Sequence, residues 1–338
     1  MDKIRLGKTE LMVSRSGFGA IPIQRISDED STTLLRAAFA GGINFYDTAR
    51  GYSTSEHKIG LALGHVRKDI IIATKSGAET GEELEEHLET SLAQLGTDYI
   101  DIYQFHNPAF FPRPGDANGV YDAALRAKAA GKIRHIGVTN HRLALAKEMA
   151  QSGLFETVQF PMSSLATDDE LELVHLCKAH DVGFIAMKGL AGGLIINAKT
   201  TFAFLRQLGN VVPIWGMQLL SQLEEFLRYE QNPPALDEEI WKQIHQDRKT
   251  LAGDFCRACG YCQPCPVGIV IPAAARMEVM LGRADWRMLS GEYGQEIMGK
   301  VKDCVECGRC RSKCPYKLDV PALLKANLAF FEDFCSKL

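Results

Sequence analysis

The sequence predicts an α/β chain: a (β/α)8 barrel followed by a small, mostly α-helical, cysteine-rich domain. Two observations predict the barrel. Apolar strand-like runs alternate eight times with amphipathic helical patterns, and this happens within about 225 residues, the usual size of a closed barrel. A third observation predicts the appendage, because only Cys177 of the ten cysteines precedes residue 254. A chain of 338 residues is long for one ordinary domain and suits a barrel with an addition.

In chain order, residues 4–13 suggest a short hairpin ahead of the main fold. Strands are expected at 14–19, 43–47, 70–74, 99–105, 133–138, 157–160, 183–187 and 211–215. Helical patterns lie near 29–40, 55–64, 82–95, 120–130, 142–152, 168–180, 200–208 and 219–228. An open doubly wound sheet is the alternative, weakened because no G-x-G-x-x-G turn follows the first strand. Asn232-Pro233-Pro234 breaks the rhythm. We therefore expect the barrel at 1–232, a helical linker at 233–253 with its helix at about 236–251, and the cysteine domain at 254–338.

Composition excludes several classes. Apolar content of 46% with 24% charged residues is ordinary for a globular protein. No apolar run approaches a bilayer-crossing length, and Met1-Asp-Lys-Ile-Arg5 does not read as a signal peptide. A net charge of −4 without a basic stripe offers nothing to nucleic acid. Clustered cysteines without a leader argue for metal-bound thiolates in a reducing, cytoplasmic setting rather than a disulfide scaffold.

The cysteines fall into two motifs, Cys256-x2-Cys259-x2-Cys262-x2-Cys265-Pro and Cys304-x2-Cys307-x2-Cys310-x3-Cys314-Pro. They form an internal repeat at an offset of about 48 residues, in which Pro272 and Pro321 each open a helical run, 273–281 and 322–334. Two-residue spacing lets three thiolates of one loop reach three irons of a cuboidal cluster, and the Cys-Pro of the other motif supplies the fourth ligand. This assigns one [4Fe–4S] cluster to Cys256, Cys259, Cys262 and Cys314, and another to Cys304, Cys307, Cys310 and Cys265. Zinc is the alternative, but a third evenly spaced cysteine in each motif fits a tetrahedral site badly. Cys177 and Cys335 read as packing residues. The clusters suit an electron relay or a purely structural role.

In the barrel, Asp47 and Tyr52 follow one strand, Lys75 ends the next and His106 the one after. Barrel chemistry occurs at strand carboxyl ends, so the four face one mouth. Here the sequence resembles the aldo-keto reductase family over about residues 1–230, with its Asp-Thr-Ala-x-x-Tyr-x-x-Ser-Glu pattern at 47–56. The resemblance implies reduction of a carbonyl, or oxidation of an alcohol, with NAD(P)H. Tyr52 would be the general acid, Asp47 would hold Lys75, and His106 would orient the substrate oxygen. A free phenol has a pKa of about 10, and Lys75 is expected to lower it.

The resemblance also implies that Thr139, Asn140 and Gln159 hold the nicotinamide carboxamide. Met187 stands where the family stacks a tyrosine on the nicotinamide, followed by Lys188, and Gly216, Met217, Gln218 and Glu224 would line the rest of the dinucleotide. Trp215, Gln218 and Ser221 bring no cation for a 2′-phosphate, so NAD is favoured over NADP. The whole chain looks like the subgroup of that family with an added dicluster ferredoxin-type domain. Phe110, Phe111, Pro112 and Pro114 suggest an apolar rim or ordinary loop packing, and Trp286 and Met288 a pocket lid or interdomain core.

Two rival functions remain open at this level. Hydride moves two electrons and a cluster usually one, and no flavin-binding pattern converts between them. Cluster-driven one-electron reductive elimination or ring-opening at the same mouth is one rival. A non-catalytic electron-transfer or scaffold protein is the other. The partners expected are a small carbonyl or alcohol and an electron-transfer protein, with no nucleic acid and no membrane. Oligomeric state is not legible.

Overall fold

The computed structural model describes residues 1–251, 255–281 and 286–338. The expected end of the linker at 253 and the side chains of Trp286 and Met288 lie outside what is described. The chain divides into two compact units, Met1–Gly189 with Lys199–Asp237, and Leu190–Ala198 with Glu238–Leu338. Among the described residues, no helix is long and apolar enough to cross a membrane.

The first unit begins with an antiparallel hairpin, β1 (Lys3–Arg5) and β2 (Met12–Ser14). Eight parallel strands follow: β3 (Gly17–Gly19), β4 (Phe45–Asp47), β5 (Ile71–Ser76), β6 (Ile100–His106), β7 (Ile133–Thr139), β8 (Thr157–Pro161), β9 (Gly183–Met187) and β10 (Val211–Gly216). They close in sequence order, with β10 pairing back onto β3. The helices between them are α1 (Asp28–Ala40), α2 (Ser55–Leu63), α3 (Gly81–Leu95), α4 (Val120–Ala129), α5 (Leu143–Gln151), α6 (Asp168–Ala179), α7 (Ala198–Arg206) and α8 (Leu220–Gln231). The fold is the expected (β/α)8 barrel.

Local chemistry marks the helix ends. Ser27, Thr80 and Thr167 each accept a bond from a first-turn amide of α1, α3 and α6. Gly96 ends α3 in the left-handed conformation at φ +63°. The hairpin plugs one end of the barrel: its Leu6 and Val13 pack with Phe45, Ile102, Val212 and other residues pointing into the barrel. That leaves the strand carboxyl ends as the open mouth.

The first barrel strand is shorter than the expected 14–19. Ser14 belongs to the hairpin, and Ser16 is held instead by Glu230 and the Trp215 indole N–H. At Gly17 a Cβ would sit 2.7 Å from the Phe45 ring, so only glycine allows this close start.

The second unit is helical: α9 (Glu238–Thr250), α10 (Ile271–Ala274), α11 (Met277–Leu281), α12 (Trp286–Ser290), α13 (Glu292–Gly299), α14 (Arg309–Lys313) and α15 (Val320–Ser336). Pro272 and Pro321 sit in the first turns of α10 and α15, as the repeat predicts. The first run is broken at Ala275–Arg276 into two short helices, where a single one was expected. The repeat extends to the backbone. Ala258 and Gly260 after Cys256, and Glu306 and Gly308 after Cys304, all have positive φ, as do Gly268 and Lys317 three residues past each Cys-Pro cysteine. Its core gathers Ile269, Ile271, Met277, Met298, Leu324 and Phe331 around Cys262 and Cys310.

Candidate active site and cysteine cavities

The strand register brings the expected quartet together. Asp47 lies beside Ala73, Lys75 beside Gln104, His106 beside Thr139, and Thr139 beside Gln159. Lys75 Nζ is 2.6 Å from Asp47 Oδ1 and 2.5 Å from the Thr48 carbonyl, and both side chains are buried. Asp47 Oδ2 accepts two amide N–H bonds, from Gln159 Nε2 at 3.0 Å and Gln104 Nε2 at 3.2 Å. Burial pushes Asp47 up and Lys75 down, and each partner's charge opposes that shift. The three donors on the carboxylate favour the ionised pair.

Tyr52 follows β4 in a turn fixed by Tyr52 N–H to the Ala49 carbonyl at 3.0 Å and Ser55 N–H to the Tyr52 carbonyl at 2.8 Å. Its ring meets the His106 ring edge-on, with centroids 5.8 Å apart and planes at 84°. Lys75 Nζ stands 4.9 Å from the Tyr52 ring centroid. This corrects one expectation. The ammonium is engaged by Asp47 and Thr48, and burial, with the Asp47 charge added, pushes the Tyr52 phenol above its ordinary range rather than below it. His106 is brought down to about 3 by burial and by the charges of Lys75 and Lys188, so its imidazole is neutral.

Two further groups were missed. Gln104 is two residues before His106 on β6, hence on the same face of the strand, a signal that the period-two rule carries. Glu56, the last residue of the sequence pattern, is buried, accepts from Thr74 Oγ1 at 2.6 Å and pairs with Arg50 at 3.3 Å. Its charge also acts on Lys75.

The residues expected around a dinucleotide lie on or just after β7 to β10, with Glu224 on α8. Thr139 Oγ1 accepts from the Asn107 amide at 3.0 Å; Asn140 donates to the Pro108 carbonyl at 3.1 Å and accepts from the Arg142 amide at 2.8 Å. Both thus brace the β6 and β7 loops. Gln159 Oε1 is buried with no hydrogen-bond partner, and an amide N–H such as a nicotinamide carboxamide would satisfy it. Met187 is half-buried against the interior cluster, and Lys188 follows with φ +58°. Gly216 is exposed, Met217 buried and Glu224 exposed on α8, while Gln218 gives its amide to Gln222 Oε1 at 2.9 Å. Trp215 is core, stacked on Phe226 at 4.4 Å. Phe111 packs on Phe155 at 5.9 Å under Arg113.

In the second unit the eight motif cysteines line two cavities. One is lined by Cys256, Cys259, Cys262 and Cys314. The other is lined by Cys304, Cys307, Cys310 and Cys265, together with Cys262. Each cavity takes three cysteines from one motif and the Cys-Pro cysteine of the other, the donor set a cuboidal cluster requires. Among the described residues, no three His, Cys, Asp or Glu side chains gather around a single-ion position. Cys177 is buried on α6 and its thiol is pushed up to about 12 by burial, and Cys335 packs against the helical core.

A model of the aldo/keto reductase family matches residues 16–207, and one of a 4Fe-4S dicluster domain matches 255–319. The chain belongs to the aldo/keto reductase family, a family of oxidoreductases, and carries a 4Fe-4S dicluster domain after its barrel. It is 30% identical to the NADH-specific methylglyoxal reductase of Escherichia coli K12 over 233 residues, covering 59% of this chain and 71% of that protein. It is 32% identical to the L-galactose dehydrogenase of Arabidopsis thaliana over 209 residues, 56% of this chain and 66% of that protein. The chain thus spans about two thirds of these relatives' length. A Bacillus halodurans aldo-keto reductase in its holo form superposes with a TM-score of 0.63 at 23% identity, covering 73% of this chain and 96% of that one. A Klebsiella pneumoniae aldo-keto reductase in complex with NADPH gives 0.63 at 20% identity, covering 72% and 94%. These structures share the barrel fold.

Proposed function

We propose that the protein reduces a small carbonyl compound with a nicotinamide dinucleotide, Tyr52 acting as proton donor at the barrel mouth. The observation that carries this reading is the buried Asp47–Lys75 pair set against Tyr52, with a neutral His106 at the edge of the same ring. A bound nicotinamide supplies the hydride; Gln159, Thr139 and Asn140 would hold its carboxamide, with Met187 beside its ring.

The residues of the chain do the rest. Neutral His106 donates an N–H to the substrate oxygen and aims the carbonyl. Hydride addition turns that oxygen into an alkoxide, far more basic than a phenol, so Tyr52 gives up its proton even from a raised pKa. The phenolate that remains faces the Lys75 ammonium, and Asp47 keeps that ammonium in place.

The absence of a cation among Gln218, Ser221 and Glu224 supports NADH over NADPH. The two cysteine cavities support two clusters passing electrons to or from a partner protein. They also favour a second reading, in which cluster electrons drive one-electron chemistry at the mouth. Anaerobic protein supplied with methylglyoxal and an aromatic dione tests both. Turnover with NADH, weaker turnover with NADPH and loss of turnover in Tyr52→Phe with dinucleotide binding intact is the expected result. Full activity of Tyr52→Phe overturns the proton-donor role. Product formed with titanium(III) citrate alone, and none with NADH, establishes the one-electron reading instead.

A further inference from the structure

Arg276 sits between α10 and α11 in a place where a guanidinium should be costly. The residue is half-buried, and its Nε is buried with no hydrogen-bond partner. The acceptor that its side chain does reach is Met280 Sδ, at 3.4 Å, a weak one. Gly192 and Gly193 lie over it, and a Cβ added at each would fall 3.6 Å from Nη1 and 3.8 Å from Nη2. No carboxylate among the described residues pairs with it, and the charge it faces is that of Cys256. A buried cation without a counter-ion is destabilising unless an anion completes the site.

The internal repeat supplies the comparison. Pro272 corresponds to Pro321, so Arg276 corresponds to Lys325, which stands near Cys304 of the other motif. Lys325 is exposed and already neutralised by Glu306 at 2.6 Å. Of these two repeat-related cations, the one at the Cys256 motif is thus partly desolvated and without a carboxylate, and the one at the Cys304 motif is solvated and paired. Cluster potentials respond to local net charge and to solvent exposure, and an electron added to a thiolate-ligated cluster adds negative charge.

We propose that Arg276 is the counter-ion of the cluster held by Cys256, Cys259, Cys262 and Cys314, and that it makes this cluster the easier of the two to reduce. The inference rests on the two-cluster reading above. It gives the pair a direction: a single electron entering at the Cys304-motif cluster oxidises that cluster again as it moves on to reduce the Cys256-motif cluster.

The test is an anaerobic reductive titration of the intact holoprotein with dithionite, followed by EPR. An iron count near eight in the wild type, about four per cluster, checks the two-cluster reading by itself. With that count met, Arg276→Met is expected to move one of the two one-electron steps to a more negative potential by about tenfold in the reduction equilibrium, about 59 mV for one electron. The other step should move less, and Lys325→Met should leave both near their wild-type positions. Unchanged steps in an iron-replete Arg276→Met protein overturn the proposal, as does an equal shift from Lys325→Met. If Arg276→Met does not load iron, Arg276→Lys decides. Full loading with wild-type steps supports a charge role, and an empty protein assigns Arg276 to packing alone.

Discussion

The barrel mouth and the cysteine cavities solve the problem of holding reactive groups in opposite ways. At the mouth the buried carboxylate and ammonium already have each other. Asp47 takes bonds from Lys75, Gln104 and Gln159, and strands β4, β5, β6 and β8 of the closed barrel hold those side chains in place. In the second unit the cysteines line two cavities together with core residues such as Ile271 and Leu324. The lesson is that the barrel site is organised by secondary structure, whereas the cysteine unit depends on what fills its cavities.

Removing the iron is the largest way to break that comparison. Chelation under reducing conditions is expected to abolish cooperative unfolding of residues 238–338 while the barrel keeps its own transition. Calorimetry or hydrogen exchange read by segment would show it, and an unchanged second unit would make the two regions alike. Next comes the mouth. Lys75→Met should lower turnover by about 10²- to 10⁴-fold, the range of a lost acid–base group, and leave dinucleotide binding in place. Because the phenol is raised and His106 lies at about 3, the wild-type reduction rate should be flat across neutral pH, with no limb from either group. A bell centred near neutrality would contradict this geometry.

A smaller effect sharpens the role of the clamp. Gln104→Leu removes one donor from Asp47 together with an unpaired buried oxygen, so stability should change little while turnover falls about tenfold. The smallest effect concerns stability alone. Burial pushes the Glu156 carboxyl up, but bonds from His135, Lys128 and the Ile136 amide outweigh it and bring it down to about 2. A depressed carboxylate stabilises the fold above its unfolded pKa of about 4.5, and that contribution is lost as pH falls toward 2. Glu156→Gln should therefore cost about 2 kcal/mol at neutral pH and nothing at the acid end, as urea melts at several pH values would show.

Much of this was legible in one dimension, because periodicity is local. Apolar runs such as Ile70–Ala73 and the amphipathic pattern of 82–95 mark buried strands and outer helices by side-chain spacing alone. Cysteine spacing is legible for the same reason: three ligands of each loop fall within seven residues, at 256–262 and 304–310. The quartet was placed by the rule that strand ends meet at one mouth, which needs only the order of the strands. The chain order alone therefore determined the barrel, the cysteine motifs, and which four polar residues share a face.

The three-dimensional fold decided what those residues feel. Whether Lys75 lowers a phenol or serves a carboxylate depends on distances between β4, β5 and the turn at Tyr52, and no spacing along the chain encodes them. The unpaired guanidinium of Arg276 against the paired ammonium of Lys325 is likewise invisible in a repeat that aligns two cations. Desolvation and pairing are properties of the surroundings in space, supplied by residues far apart in sequence, and only packing brings them together.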